Sequence, residues 1–236
     1  MVLAFILTAF IGIANYLEEN LSIKGTKYKP HVISFVAGFS VSYIFLSLLP
    51  ELYEGVIGIG NRTLFVFVLI GFVLFHMIEK FIYQHVGKGK ISERLKLTHS
   101  IGIFFYEIIA GIVLVNFLKI GILEGLLFFI PVFSHTAMSN LSIHKIHGLH
   151  HHKEQLIENK FMRVLLAGGS LYGAVLASLY LISSKLSFTL TGLVAGILLY
   201  VVIRETIPKD KEGNPLMFVV GVLLYSMLIF GIWLFA

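Results

Sequence analysis

The segment from Val36 to Gly55 reads VAGFSVSYIFLSLLPELYEG, and residues 30–50 contain no Asp, Glu, Lys or Arg. A mostly apolar run of about 20 residues is what an α-helix needs to cross the hydrocarbon core of a bilayer. The apolar residues follow one another without the alternation that marks a strand of a membrane barrel. The segment therefore predicts a membrane-spanning helix.

The composition of the whole chain agrees with this interpretation. Hydrophobic residues make up 57% of the 236 residues, charged residues make up 13%, and Cys is absent. A soluble domain has about 25% charged residues, so this chain has too little charge to cover a soluble surface. The absence of Cys excludes a disulfide scaffold. We expect an all-α polytopic membrane protein with residues 1–236 in a single transmembrane domain. Its eight predicted spans are 2–17, 31–50, 62–84, 97–118, 121–142, 161–183, 187–207 and 215–235.

The basic residues predict the orientation of these spans. Fifteen of the 18 Lys and Arg residues fall in loops 1–2, 3–4, 5–6 and 7–8, and the other three are Arg62, Lys119 and Lys185. Because loops rich in Lys and Arg remain in the cytoplasm, these four loops are predicted to be cytoplasmic and both termini non-cytoplasmic. The membrane would be a plasma or inner membrane. The net charge of +5 then reports topology, and we expect no nucleic-acid partner.

An internal repeat connects predicted spans 2 and 7. The segment from Val194 to Gly213 reads VAGILLYVVIRETIPKDKEG and matches the segment from Val36 to Gly55 in Val-Ala-Gly, Pro and Glu-Gly at the same positions. The two spans are predicted to run in opposite directions, so the repeat would be inverted. Inverted repeats with Pro-interrupted helices are typical of secondary transporters, whose binding site lies near the midplane. Small residues and Pro are also common in membrane helices in general.

Three ionisable residues are predicted to lie at a similar depth in the membrane: Glu107 in span 4, His135 in span 5 and His76 in span 3. A charge at the bilayer centre costs about 2.5–3.5 kcal/mol on insertion scales, so it usually faces a partner or water. A carboxylate with imidazoles can bind a divalent cation or relay protons. The alternatives are hydrogen bonds from each histidine to a nearby Ser or carbonyl, and a protonated Glu107 that links helices.

A His-rich loop at about 144–160 contains five of the ten histidines on the predicted cytoplasmic side. Imidazole is a ligand for zinc, copper, iron and nickel, and His-rich tracts are typical of metal binding. The alternative is a loop that binds metal incidentally. The spelling HxxHH within the loop also resembles a box of membrane desaturases and hydroxylases. One box provides too few ligands for a di-iron centre, so an oxygenase is the less favoured alternative and we expect no enzymatic activity. The five histidines are His144, His147, His150, His151 and His152.

Several further stretches match one known family. They are Gly38 with Leu48-Leu49-Pro50-Glu51, Gly71-Phe72 with Ile78-Glu79-Lys80, Ile130-Pro131, and Ala195-Gly196 with Tyr200 and Glu205-Thr206-Ile207-Pro208. In these stretches the chain resembles the ZIP family of divalent metal transporters, and the resemblance extends along most of its length. It implies eight helices in a 3+2+3 arrangement, with spans 1–3 and 6–8 as inverted repeats around spans 4 and 5.

The resemblance is incomplete at the family's metal ligands. The fourth-helix motif, anchored on Glu107, reads Ile103-Phe104-Phe105-Tyr106-Glu107 and keeps its last ligand alone. The fifth-helix motif, anchored on Pro131, reads Phe128-Phe129-Ile130-Pro131-Val132 and keeps none. Ser170 stands where the family has a sixth-helix Glu. Ile, Phe and Val cannot coordinate a cation, so the family's paired-metal site is absent or rebuilt.

We therefore predict a transporter of a divalent transition metal of the zinc, iron or manganese class, working by alternating access through a reduced site. Weak binding suits transport because the ion must also leave. Zinc is the first expectation, as substrate and not as cofactor, and the partners are metal ions and the lipid bilayer. The 22 Gly residues leave a homodimer open. The predicted metal ligands are Glu107, His135 and the five loop histidines, and the pathway adds Ser47, Pro131 and Ser170.

Pro131 is predicted to break the backbone ladder of span 5 and expose carbonyls as further ligands. The alternative function is a ZIP-like fold without metal transport, acting as a sensor, a partner subunit or a carrier of another substrate. The phenylalanines at the ligand positions favour that alternative, whereas the His-rich loop favours metal transport.

Overall fold

A computed structural model describes residues 1–18, 29–85, 91–146, 160–206 and 213–235. Within these ranges the regular structure is entirely helical, which confirms the all-α prediction. The α-helices are α1 (Val2–Glu18), α2 (Lys29–Tyr43), α3 (Leu49–Ile59), α4 (Leu64–His85), α5 (Ile91–Ile120), α6 (Ile122–Ile146), α7 (Lys160–Ala167), α8 (Gly169–Leu179), α9 (Ser184–Val201) and α10 (Pro215–Phe235).

The length and apolar character of these helices are those of a helical membrane protein. Five helical stretches are long and apolar enough to cross a membrane, and three shorter apolar helices accompany them in the described ranges. The predicted span 161–183 is divided at Gly168 into α7 and α8. Membrane crossing by all eight predicted spans stays a prediction. The five long stretches are Pro30–Ile59, Leu64–His85, Ile101–Ile120, Ser184–Arg204 and Pro215–Leu234, and the shorter ones are Val2–Leu17, Ile122–Ala137 and Gly169–Leu179.

Two π-helical segments occur at the same place in the two repeat segments. Ile44–Leu48 joins α2 to α3, and Val202–Thr206 follows α9. The first starts eight residues after Val36 and the second eight residues after Val194. Single π-helical turns are rare in proteins, and those that occur are frequently found at functional sites. The repeat is therefore one of backbone geometry as well as of sequence.

Reciprocal glycines bring α2 and α10 into close contact. A Cβ at Gly38 would overlap the carbonyl oxygen of Phe218, and a Cβ at Gly221 would overlap that of Phe35. Small residues of this kind allow the backbones of membrane helices to approach closely.

The same contact recurs between α4 and α9. A Cβ at Gly196 would overlap the carbonyl oxygen of Val68, and a Cβ at Gly71 would stand 2.5 Å from that of Leu193. In the repeat, Gly38 corresponds to Gly196. Phe35 corresponds to Leu193, because each of them immediately precedes Val-Ala-Gly. The α9·α4 pair is therefore the repeat counterpart of the α2·α10 pair, which supports a true internal repeat.

A third close pair joins α5 to α8 and positions the candidate site. A Cβ at Gly111 would overlap the carbonyl oxygen of Ser170, and a Cβ at Gly173 would overlap that of Ile108. α5 also contacts α6 and α9, and α1 packs against both α6 and α8. The middle of α5 is therefore enclosed by other helices.

Candidate functional site

Glu107 lies in the middle of α5 and is completely buried. Asn15 of α1 donates a hydrogen bond from Nδ2 to Glu107 Oε1 at 3.0 Å. Gly169, at the start of α8, leaves room for the same side chain, because a Cβ there would stand 3.1 Å from Oε2. Three helices thus fix one carboxyl group in the protein core. An ionisable residue inside a membrane helix is by default a candidate for function.

His135 of α6 lies beside a small cavity and is 4% exposed. The cavity has a volume of about 10 Å³, which is the lower limit for holding one water molecule. Asn15, Tyr106 and Thr136 line it together with His135. Any ion in this space would have lost most of its hydration shell, and protein oxygens and nitrogens would have to replace it.

The helices that line the cavity differ in what they contribute. All four polar residues of its lining belong to α1, α5 and α6, whereas the residues from α4 and α9 are apolar. The apolar members of the lining are Phe75, Ile103, Ile197, Leu198 and Val201. Groups that could bind an ion therefore come from α1, α5 and α6 alone.

Tyrosine hydroxyls extend the polar region beyond the cavity. Tyr43 and Tyr106 are buried, and neither Oη has a hydrogen-bond partner within the described part of the chain. The Tyr43 ring lies 5.9 Å from the ring of Tyr225, whose hydroxyl shares a 2.7 Å hydrogen bond with Ser47. A buried hydroxyl without a partner costs about 1–3 kcal/mol. A buried polar group of this kind in a native protein calls for an explanation, and a functional role or a bound water or ion is among the known ones.

A separate charged cluster joins α4 to the second π-helical segment. Arg204 Nη2 lies 2.5 Å from Glu79 Oε1, and the Tyr200 hydroxyl donates to Glu79 Oε2. His76 is exposed, and its ring packs edge-on against Tyr200 with the centroids 6.0 Å apart. The expectation that His76 joins Glu107 and His135 is therefore not met, since it packs in this cluster and is not among the residues of the cavity lining.

Of the predicted pathway residues, His135 alone lines the cavity; Glu107 does not, and it is connected to the lining through Asn15. Ser170 is buried and donates to the carbonyl of Thr8 at 2.9 Å, and Ser47 bonds to Tyr225 as described. Pro131 lies inside α6, which continues through it as one helix. Because Pro has no N–H, it gives no helical hydrogen bond to the carbonyl of Leu127. The predicted break is thus one missing bond and not an interruption of the helix.

The predicted loop ligands lie largely outside the described residues. His144 falls in the last turn of α6, but its side chain is outside the described part, as are His147, His150, His151 and His152. Among the side chains that are described, no group of three or more His, Asp or Glu is arranged to hold a metal ion. The described site therefore offers one carboxylate and one imidazole, supplemented by neutral oxygens.

Two site residues, Asn15 and Tyr106, were not singled out from the sequence. An Asn within the apolar run 2–17 is the signal that could have found the first. Tyr106 carries no such signal, because tyrosines are common in membrane helices.

Comparisons with known proteins give no information on function, so any proposal of function depends on the site described above. Models of known protein families give no match to the chain, and no curated protein matches its sequence.

Proposed function

We propose that the protein is a membrane transporter of a divalent transition metal, zinc first among them, that works by alternating access through a reduced site. The observation that carries this proposal is the fully buried carboxyl group of Glu107, which accepts a hydrogen bond from Asn15, a residue that lines the cavity together with His135. A carboxylate and an imidazole are both ligands that zinc accepts. Ionisable groups are rare inside membrane helices and usually mark an ion pathway.

The size of the cavity supports a small, dehydrated cargo. A volume of about 10 Å³ accommodates one water-sized particle and excludes an organic solute. The lining provides the imidazole of His135, the amide of Asn15 and the phenol of Tyr106, and the carboxyl group of Glu107 is connected to this lining through its hydrogen bond from Asn15. Binding by one charged ligand is weaker than in a closed structural zinc site, and a transported ion must bind weakly enough to be released.

The repeat and the division of the cavity lining between helices support alternating access. Repeats of one structural unit can supply two states of similar energy, each opening to one side of the membrane. The polar residues of α1, α5 and α6 would bind the ion while these helices move against α4 and α9, whose lining residues are apolar. The proposal includes the ZIP-like arrangement of eight spans, with both termini non-cytoplasmic and the His-rich loop collecting ions in the cytoplasm.

A carrier of a different small substrate is the second candidate. It is favoured by the apolar residues of the cavity lining, including Ile103 at a position where the ZIP resemblance predicts a metal ligand. This candidate predicts that no transition metal binds at Glu107, so that Glu107→Gln leaves zinc binding unchanged.

The test is cation flux into proteoliposomes that contain a trapped metal-sensitive dye. Wild-type protein should move zinc, iron or manganese faster than protein-free liposomes of the same lipid, and added calcium should not compete. If none of the three metals enters faster than in the protein-free control, the metal-transport proposal is wrong. Equilibrium zinc binding, compared between wild type and Glu107→Gln, then decides whether the second candidate takes its place.

A further inference from the structure

Five aromatic side chains form a continuous buried cluster that crosses four helices. Between ring centroids, Phe117 of α5 lies 5.2 Å from Phe128 of α6, and Phe128 lies 6.3 Å from Tyr43 of α2. Tyr43 lies 5.9 Å from Tyr225 of α10, which lies 4.9 Å from Phe39 of α2. Each of the five residues is at most 7% exposed. We refer to these five residues as the aromatic cluster.

The aromatic cluster lies on the predicted non-cytoplasmic side of the cavity. In α5, which is predicted to run towards that side, Phe117 comes 11 residues after Tyr106 of the cavity lining. In α6, which runs the other way, Phe128 comes seven residues before His135. At about 1.5 Å per residue these separations are roughly 16 Å and 10 Å along the helix axes. The aromatic cluster therefore stands between the cavity and the predicted non-cytoplasmic ends of α5 and α6.

The contacts within the aromatic cluster close this route to an ion. Aromatic rings whose centroids lie about 4.5–7 Å apart are in direct contact, so a cation cannot pass between them unless they separate. The hydroxyl of Tyr225 also shares a 2.7 Å hydrogen bond with Ser47, which holds α10 to the first π-helical segment. The contact between Phe128 and Tyr43 joins the α5·α6 part of the cluster to its α2·α10 part. Separation at that contact is therefore what would open the route.

The repeat relates the aromatic cluster to the wall of the cavity. The reciprocal glycines of the α2·α10 and α4·α9 contacts align the two repeats residue by residue. Counted from these glycines, three residues of the cavity lining correspond to three residues of the cluster. The pairs are Phe75 with Tyr225, Ile197 with Phe39, and Val201 with Tyr43. Equivalent positions thus border an open space in one repeat and a closed cluster in the other.

We propose that the aromatic cluster is the gate on the predicted non-cytoplasmic side, closed in this structure and opened when Phe128 moves away from Tyr43. In the open state, the cluster residues of α2 and α10 would border the ion as their counterparts in α9 and α4 border the cavity here. Movement of one bundle against another around the binding site is how inverted-repeat transporters change sides. This inference rests on the proposed function, because it assigns the step that exposes the site to the second side.

The absence of Cys from the chain makes a direct test possible, with a single introduced thiol as the reporter. Ser40→Cys is the reporter, because Ser40 is completely buried in α2 and corresponds in the repeat to Leu198 of the cavity lining. Sealed vesicles of known orientation are treated with a membrane-impermeant thiol reagent, and the rate of labelling is measured from each side. Leu181→Cys is the positive control, since Leu181 is fully exposed between α8 and α9, on the predicted non-cytoplasmic side.

Removal of one ring should favour the open state. Phe128→Ala should raise the labelling rate of Ser40→Cys from the non-cytoplasmic side about 2–12-fold, the effect of losing one aromatic pair on the equilibrium between closed and open states. Phe10→Ala is the matched control, because Phe10 is 51% exposed in α1 and should leave the rate unchanged. Ala174→Cys, completely buried in α8 within a different group of packed residues, should stay unlabelled in the Phe128→Ala background if the protein is folded.

The outcomes separate the gate from the proposed function, because labelling requires no zinc. If Phe128→Ala leaves the labelling of Ser40→Cys unchanged, raises it only from the cytoplasmic side, or raises that of Ala174→Cys equally, the gate is refuted. Zinc flux by wild-type protein would then still support the proposed function. If wild-type protein moves no metal but Phe128→Ala raises labelling as expected, the metal-transport proposal fails and the gate serves the other small substrate.

Discussion

Close packing at Gly71 allows a quantitative prediction about the repeat. A Cβ at this position would stand 2.5 Å from the carbonyl oxygen of Leu193 and 3.1 Å from the backbone nitrogen of Ile197. Both are backbone atoms, so no side-chain rotation can relieve the overlap. An ordinary contact of 3.4 Å requires α4 and α9 to separate by about 0.9 Å at this point.

Gly71→Ala should lower the free energy of unfolding, and a control variant can separate the cost of the overlap from the change in helix propensity. Overpacking of this kind costs about 1–3 kcal/mol, and Ala recovers about 1 kcal/mol through its higher helix propensity. Gly231→Ala in α10 is the matched control, because a Cβ there meets no atom within 4 Å. The propensity gain cancels between the two variants, so the difference of about 1–3 kcal/mol measures the overlap alone.

The assay is thermal unfolding of the purified protein in detergent, followed by circular dichroism. For a chain of this size, about 2–4 °C in Tm corresponds to 1 kcal/mol, so Gly71→Ala should melt roughly 2–12 °C below Gly231→Ala. Gly221→Ala, the repeat counterpart, should lose a similar amount. Equal melting of Gly71→Ala and Gly231→Ala would refute the close packing of α4 on α9.

Two further variants examine the site and the charged cluster. Asn15→Leu removes the donor to Glu107 and should lower zinc affinity about 10–100-fold, the usual effect of losing a group that orients a ligand. Zinc-dependent melting measures this affinity. Asn116→Leu is the control, because Asn116 also donates a hydrogen bond between helices, to Ser187 Oγ at 3.1 Å, but does not line the cavity. Unchanged affinity in Asn15→Leu would mean that Asn15 does not orient the carboxylate. Glu79→Gln leaves Arg204 without its carboxylate partner. It should lower the free energy of unfolding of the protein by about 1–3 kcal/mol, between the losses typical of exposed and of buried ion pairs. The double variant with Arg204→Gln should recover part of that loss in Tm, and a purely additive result would show that the pair is not coupled.

The helices were largely predictable because hydropathy is a local property. All eight apolar runs of the sequence overlap helices of the structure, and the run 62–84 differs from α4 by two residues or fewer at each end. The division at Gly168 and the two π-helical segments were not predicted. Each depends on packing between helices, which the hydropathy of one segment does not contain.

The site was predictable in part, for a related physical reason. Counting residues along a helix gives depth, and this identified Glu107 and His135, both of which are buried. Depth does not give rotation about the helix axis, so His76 was grouped with them although it faces outwards. Asn15 and Tyr106 escaped notice because uncharged polar residues are tolerated on every face of a membrane helix.

Zinc flux by Glu107→Gln is the most direct test of the central claim, that Glu107 binds the transported ion. Gln keeps the size of the side chain and an oxygen that can accept from Asn15, but it removes the charge. Zinc flux should fall to the level of protein-free liposomes, while the variant melts at or above the wild-type temperature in the absence of zinc. Wild-type zinc flux through Glu107→Gln would contradict this role of Glu107.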